Sequence, residues 1–253
     1  LSVALGNAPT SDPAIFHAVN VLIHALNAIL VYLILFSIVK NVNAALSGAV
    51  LFAVHPLQVE AVAWVSGLKD LLAACFGLSA VLFYLHARER KYLYVASLFT
   101  FVLALLSKPS AVVFPVMALI IGCGFLKMPF IRGAIGFVAG MILAAPILLI
   151  TRLIQSDRII EYVTPWHLRP LVMADAFLFY LSKFFFHFFL SLNYGRTPLS
   201  VIRGITGWWC LIFLCVFFFL CYRSIVVRRW ISTMALFFVA LLPTLGLIPF
   251  YYQ

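Results

Sequence analysis

Charge is what this sequence has least of. Asp and Glu number seven and Lys and Arg 17 in 253 residues, so charged residues make up 9% of the chain, whereas soluble domains carry about 25%. A water-solvated surface cannot be assembled from so few ionic groups, and this excludes a soluble enzyme or binding domain. The five cysteines (Cys75, Cys123, Cys210, Cys215 and Cys221) lie inside apolar runs, with no CxxC pair and no histidine pair at zinc-finger spacing. That excludes a zinc module and leaves them as small core residues. No internal repeat, heptad array or low-complexity tract is present, which excludes solenoids and coiled coils. The net charge of +10 would suit nucleic acid only if a water-exposed basic face existed, and these helices lack one. No nucleic-acid partner is expected; membrane lipid phosphates are the anions this charge would meet.

What is abundant is apolar length. Hydrophobic residues make up 66% of the chain, in continuous runs of the kind that cross a hydrocarbon core of about 30 Å, which takes about 20 helical residues. Continuous runs indicate helices rather than the alternating strands of a barrel. Asp12-Pro13 marks a helix start, and spans are expected near Phe16–Val39, Ala44–Val65, Leu71–Ala87, Tyr92–Ser107, Ala111–Leu126, Ile131–Ile154, Gly207–Tyr222 and Trp230–Tyr251. The fold class is all-α, a polytopic transmembrane helical bundle of about eight spans.

The stretch Leu171–Leu192 is placed by loop charge. Three breaks are basic: Arg88 to Lys91, Lys127 to Arg132, and Arg223 to Arg229. If all face the cytoplasm, even numbers of crossings separate them, and Leu171–Leu192 is an interfacial or re-entrant helix. Its Asp175, Lys183 and His187 suit that position. Lys40, Arg88, Arg90, Lys91, Lys127, Arg132, Arg223, Arg228 and Arg229 then face the cytoplasm with one acid, Glu89. All other acidic residues fall on the opposite side, where an exported substrate would be met.

The chain starts at Leu1 rather than Met and ends directly after an apolar run. The expectation is therefore a single transmembrane domain, 1–253, cut from a longer chain.

Chemistry concentrates in His55-Pro56-Leu57-Gln58-Val59-Glu60-Ala61-Val62-Ala63-Trp64-Val65-Ser66-Gly67-Leu68-Lys69-Asp70. Two carboxylates, a lysine and a histidine share sixteen residues of an otherwise apolar chain. Ionisable groups at membrane depth are costly and are normally partnered or functional. The plainer alternative is a solvated turn at Lys69 and Asp70, an interface anchor at Trp64 and an internally paired Glu60. Ser107-Lys108-Pro109 adds a lysine on the same outer side; alone it is a snorkelling side chain, but with Lys69 it offers two cations to a lipid phosphate. His17, Asn20, His24 and Asn27 share one face of the first helix, a stripe that most simply bonds neighbouring helices. Gly136 and Gly140 form a GxxxG suited to close helix packing, and Phe184, Phe185, Phe188 and Phe189 a packing or lipid face. The loop holding Asp157, Arg158, Glu161, Trp166, His167 and Arg169, followed by Asp175, would hang above the Glu60–Asp70 cluster.

Phe16-His17-Ala18-Val19-Asn20 with His24-Ala25-Leu26-Asn27-Ala28, then His55-Pro56 through Lys69-Asp70, then Leu105-Leu106-Ser107-Lys108-Pro109, resembles the membrane domain of the transmembrane and tetratricopeptide-repeat O-mannosyltransferase group and its bacterial relatives. These lie within the GT-C class of polyprenyl-phosphate-sugar glycosyltransferases. Weaker matches continue through Arg169, Tyr180 and Lys183 to Leu241–Gly246. The His-Pro to Lys-Asp segment is the specific part.

The resemblance implies a GT-C-like fold and transfer of a sugar, mannose in the named group, from a polyprenyl- or dolichyl-phosphate donor. The acceptor is a protein or other hydroxyl on the periplasmic or lumenal side. It implies a divalent metal, Mg or Mn, at the donor phosphate, and an acidic base in a first outer loop for which Asp12 is no match. It also implies tetratricopeptide repeats beyond this segment. On this reading Lys69, Lys108 and Arg169 bind the donor phosphate, Glu60 and Asp70 are catalytic, Asp70 is the metal ligand, and His55 and Trp64 contact substrate. The absence of an N-x-S/T site in the outer loops favours a bacterial inner membrane over endoplasmic reticulum. A transporter or flippase for lipid-linked sugars would need the same cations, but transporters place their sites near the midplane in repeated halves, and no second copy of the cluster is present. A non-catalytic assembly module is the third reading.

Overall fold

The computed structural model describes residues 13–87, 90–154, 164–186, 198–204, 206–222 and 228–245. Every element among them is helical. The first helix, α1 (Pro13–Val39), opens with Pro13 in its first turn, where a missing N–H costs nothing. It ends at Lys40, whose positive φ of 57° turns the chain as Lys40 N–H donates back to the Phe36 carbonyl. Asn41 caps α2 (Val42–Val54), its side chain accepting from Ala44 N–H at 3.0 Å.

The expected span over Ala44–Val65 is not one continuous helix. The helix stops at His55, which adopts extended backbone (φ −66°, ψ 130°) ahead of Pro56, because proline's Cδ disfavours the helical conformation in the residue before it and its ring nitrogen has no proton to donate. A 3-10 turn (Pro56–Gln58), the short α3 (Val59–Ala63) and a second 3-10 turn (Val65–Gly67) follow, with α2 and the Pro56–Ala63 piece bent by 48°. Only then does α4 (Leu68–His86) begin. The segment carrying most candidate chemistry is thus a stretch broken into short helical pieces.

The antiparallel pair of α4 and α5 (Tyr92–Ser107) forms the centre of the bundle, with Ala80, Phe101, Ala104, Leu105, Ala111 and Ala144 at its core. The expected span Ala111–Leu126 resolves into a 3-10 turn (Pro109–Val113), α6 (Phe114–Ile120) and a π-helical turn (Ile121–Phe125), with Pro109 and Pro115 each opening a piece. The longer α7 (Phe130–Ile154) carries Pro146. Its glycines allow close approach: a Cβ on Gly136 would stand 2.4 Å from the Tyr84 ring, and one on Gly140 2.7 Å from Pro115. Next come α8 (Arg169–Phe185), α9 (Pro198–Arg203), α10 (Thr206–Tyr222) and α11 (Arg228–Leu241), the last ending in a 3-10 turn at Leu242–Thr244. Residues 187–192 of the expected interfacial helix lie outside the described residues.

By length and composition α1, Val65–His86 and α7 can each cross a membrane, and the bent Val42–Ala63 pair makes a fourth; Tyr92–Ser107, Pro109–Phe125 and Ile231–Thr244 are shorter apolar helices. The chain is a helical membrane protein, with three to four full-length spans among the described residues where eight were expected. Prolines divide two of the expected spans, Ala44–Val65 and Ala111–Leu126, while Tyr92–Ser107 is an unbroken helix of 16 residues, shorter than a full crossing.

The ends of the bundle are distinct. Tyr84 hydroxyl donates to the Arg132 carbonyl at 2.7 Å, so the α4–α5 break and the start of α7 share an end. Ser232, early in α11, adjoins Gly124 at that same end. The α4–α5 break, the start of α7 and the start of α11 therefore share one end. Residues 55–70, Lys108 and the turn at Leu242–Thr244, which touches Pro109–Val113, lie at the other. Cys75, Cys123 and Cys210 are partly buried, while Cys215 is exposed on the outside of the bundle rather than in a core.

Candidate functional site

Three charges meet where α4 begins and α5 ends. Asp70 stands in the first turn of α4, where the helix dipole and unpaired backbone N–H groups favour a carboxylate. Lys108 is the residue directly after α5, with extended backbone (φ −154°, ψ 126°). Its ammonium donates to Asp70 Oδ1 in an ion pair. Antiparallel packing of α4 on α5 makes this encounter possible across 38 positions of sequence. Both side chains are partly exposed, at 36% for Asp70 and 40% for Lys108, so the pair is reachable from outside. Lys69 is exposed beside Asp70 and makes no ion pair among the described residues. The first turn of α4 and the end of α5 thus carry two lysines and one carboxylate, at the end opposite the start of α7.

The other expected residues are placed around it. Glu60 is exposed on α3, and Trp64 is 49% exposed just past that helix. Arg169 is half-buried at the start of α8, its Nε donating to the Thr164 carbonyl at 3.2 Å. Described contacts join Asp70 and Lys108, but none joins Glu60, Trp64 or Arg169 to that pair.

His55 links distant parts of the chain. Its Nδ1 accepts from Leu57 N–H at 3.3 Å, its Nε2 meets the Phe184 carbonyl oxygen at 3.2 Å, and its ring stacks on Phe184 at 4.9 Å. One nitrogen accepts and the other faces a carbonyl oxygen, the pattern in which Nε2 is the donor. His55 therefore caps the turn at Pro56 and ties the broken segment to α8. The charged loop expected above the cluster falls at 157–161 outside the described residues, while Trp166 and His167 are exposed.

Asp70 as a metal ligand meets a chemical objection: its Oδ1 is occupied by an ammonium group, and among the described residues no three His, Cys, Asp or Glu side chains come together. The residues described do not fit a divalent ion at Asp70.

Sequence reasoning missed two local features. The polar stripe of α1 does bond neighbouring segments, but to backbone rather than side chains. Asn20 Nδ2 donates to the Val62 and Trp64 carbonyls at 3.2 and 2.8 Å, His24 Nε2 to the Ala53 carbonyl at 3.0 Å, and Asn27 Nδ2 to the Leu71 carbonyl at 3.1 Å. His17, the fourth member, is exposed. The second is Gly67, where a Cβ would fall 2.1 Å from the Ala61 carbonyl oxygen; only glycine lets the chain fold back this closely before α4. Its setting between Ser66 and Leu68, at a helix entry, was the available signal.

No protein-family model matches the chain. No solved structure matches it either. Among curated proteins, it is 43% identical over 74 residues to the human protein O-mannosyl-transferase TMTC1, covering 29% of this chain and 8% of that protein. It is 36% identical over 77 residues to protein O-mannosyl-transferase F38B6.6 of Caenorhabditis elegans, covering 29% and 11%. Against protein O-mannosyl-transferase Tmtc2 of Drosophila melanogaster it is 39% identical over 77 residues, covering 30% and 8%. The match spans roughly a tenth of the length of these relatives. The resemblance drawn from the motifs is thus borne out over a part of the chain: it is similar there to proteins named protein O-mannosyl-transferase.

Proposed function

We propose that this chain is the membrane part of a glycosyltransferase that moves a sugar, mannose by its similarity to the named relatives, from a polyprenyl- or dolichyl-phosphate donor to a hydroxyl on a protein or other acceptor. The observation that carries the reading is the Lys69, Asp70, Lys108 cluster. It is a net cationic, partly exposed site at one end of an apolar bundle, where a lipid phosphate can reach it while its chain stays among the helices.

The chemistry follows from charge. As the acceptor oxygen bonds to the anomeric carbon and the bond to the phosphate oxygen breaks, negative charge grows on the leaving phosphate. Lys69 and Lys108 are the groups suited to stabilise it, a contribution of the order of 100- to 1000-fold in rate per well-placed donor. Asp70, held against an ammonium, serves best by orienting Lys108. That leaves Glu60, exposed on α3, as the carboxylate free to take the acceptor proton. His55 and Trp64 would border the acceptor side, and Arg169 would approach the phosphate from α8.

The test is release of radiolabelled mannose from polyprenyl-phosphate-mannose by the full-length protein in proteoliposomes. Mannose appearing on a hydroxyl acceptor, and lost with Lys69→Ala and Lys108→Ala, is the expected result. Intact donor moving between leaflets with no release would overturn it in favour of transport.

A further inference from the structure

The segment 55–70 is broken backbone at one end of an apolar bundle, and its carbonyl groups need donors. Leu57 N–H, which would close the helical bond to the Ala53 carbonyl, is taken by His55 Nδ1, and Pro56 has no N–H to offer. His24 Nε2 fills that vacancy at 3.0 Å. Helix α3 ends at Ala63, so the Val62 carbonyl stands among the last-turn acceptors that no backbone N–H of the helix reaches; Asn20 Nδ2 reaches it and the Trp64 carbonyl together. About two helical turns along α1 from Asn20, Asn27 Nδ2 adds a bond to the Leu71 carbonyl in the opening of α4. Both asparagines are 1% exposed. Their orientation is fixed, because reversing the Asn20 amide would set its oxygen against two carbonyl oxygens. Among the described residues neither Oδ1 meets a donor, so each side chain is used only through its N–H group.

We infer that Asn20, His24 and Asn27 are positioning residues, whose donors on one face of α1 hold the broken segment from Ala53 to Leu71 and so set where Lys69 and Asp70 stand. Their importance for catalysis rests on the sugar-transfer reading; the positioning itself does not. All three belong to a rigid helix that spans the bundle, and their bonds land at the end of α2, the end of α3 and the first turn of α4. The helix thus measures out the segment at three heights, and Gly67 allows the chain to close on itself between the second and third.

Amide hydrogen exchange of the full-length protein in nanodiscs tests this, comparing residues 57–70 with residues 92–107 of α5 in the same molecule. Asn20→Leu and His24→Leu should each speed exchange over 57–70 by about tenfold relative to 92–107, as expected for local opening. His24→Gln, which keeps an N–H near the position of Nε2, should stay close to the unaltered protein. Ser97→Ala removes a buried bond of the same kind, Ser97 Oγ to the Ala80 carbonyl at 2.8 Å, and should leave 57–70 unchanged. Unchanged exchange over 57–70 in the leucine variants, or equal acceleration in both segments, would overturn the inference. Should Asn20→Leu fail to fold, His24→Leu and Asn27→Leu decide it alone. Exchange is read without ligand, so failure of the unaltered protein to bind polyprenyl phosphate counts against the proposed transfer and leaves this inference standing.

Discussion

His55 lies nearly parallel to Phe184, their ring planes 11° apart and centroids 4.9 Å apart, and its Nε2 meets the carbonyl oxygen of the same residue. Two residues 129 positions apart thereby join the break after α2 to the end of α8. Phe184 in turn packs edge-on against Phe237 of α11 at 5.9 Å, so a single histidine connects the candidate site to the second half of the bundle.

The ring contact can be separated from the backbone bond. Phe184→Ala removes the ring and keeps the carbonyl, so a double-mutant cycle of His55→Ala with Phe184→Ala isolates stacking. A coupling of about 1 kcal/mol is expected, the usual range for a ring pair being about 0.5–1.5 kcal/mol, read from thermal unfolding in detergent. Strict additivity would show that the rings are neighbours without interaction.

Gly67→Ala should be worse than an average surface change. The added carbon would sit 2.1 Å from a backbone oxygen, which cannot rotate away as a side-chain tip can. The segment must shift, with a stability loss of about 1–3 kcal/mol or more and displacement of Lys69 two residues on. The expected outcome is a lowered melting temperature together with a transfer rate reduced well beyond what unfolding explains. A variant as active and stable as the parent would show that the close approach is dispensable.

Much of this was legible in the sequence, for reasons that also explain the rest. Expected spans at Phe16–Val39, Tyr92–Ser107 and Ile131–Ile154 correspond to helices Pro13–Val39, Tyr92–Ser107 and Phe130–Ile154, because an uninterrupted apolar run in a bilayer has only the helix to satisfy its backbone. The breaks inside Ala44–Val65 and Ala111–Leu126 escaped a reading by hydropathy, which is blind to the missing N–H of Pro56, Pro109 and Pro115. Lys69, Asp70 and Lys108 were visible as rare charges, but the ion pair between two of them was not. It depends on α4 and α5 running antiparallel with register set by side-chain packing, which no local pattern encodes. The donors of Asn20, His24 and Asn27 were visible as a stripe; their acceptors were backbone atoms, which carry no sequence signature.

The GxxxG of α7 makes a packing prediction. Gly136→Ala would press a carbon within 2.4 Å of the Tyr84 ring and Gly140→Ala within 2.7 Å of Pro115. The tyrosine can swing if it gives up its bond to the Arg132 carbonyl, whereas the proline ring, seated at the start of α6, cannot. Gly140→Ala should therefore cost the more in thermal stability, by about 1 kcal/mol, and the opposite ranking would show that Tyr84 does not give way.

The charge pair offers the sharpest separation of structure from chemistry. Because Asp70 and Lys108 are both more than a third exposed, solvent screens their attraction, and breaking it should change stability by about 0–1 kcal/mol. Lys108→Ala should nonetheless reduce sugar transfer by about 100-fold or more, since it withdraws a cation from the leaving phosphate. Asp70→Asn keeps that cation but releases its orientation; donor affinity should hold or rise while turnover falls. Exchanging the two, Asp70→Lys with Lys108→Asp, restores an ion pair and the cation count, and stability should return with it. Transfer should not, because the ammonium now projects from the first turn of α4 instead of the end of α5. Recovery of transfer in the exchanged protein would mean that the pair serves only to hold the helices together, and that the phosphate is bound elsewhere.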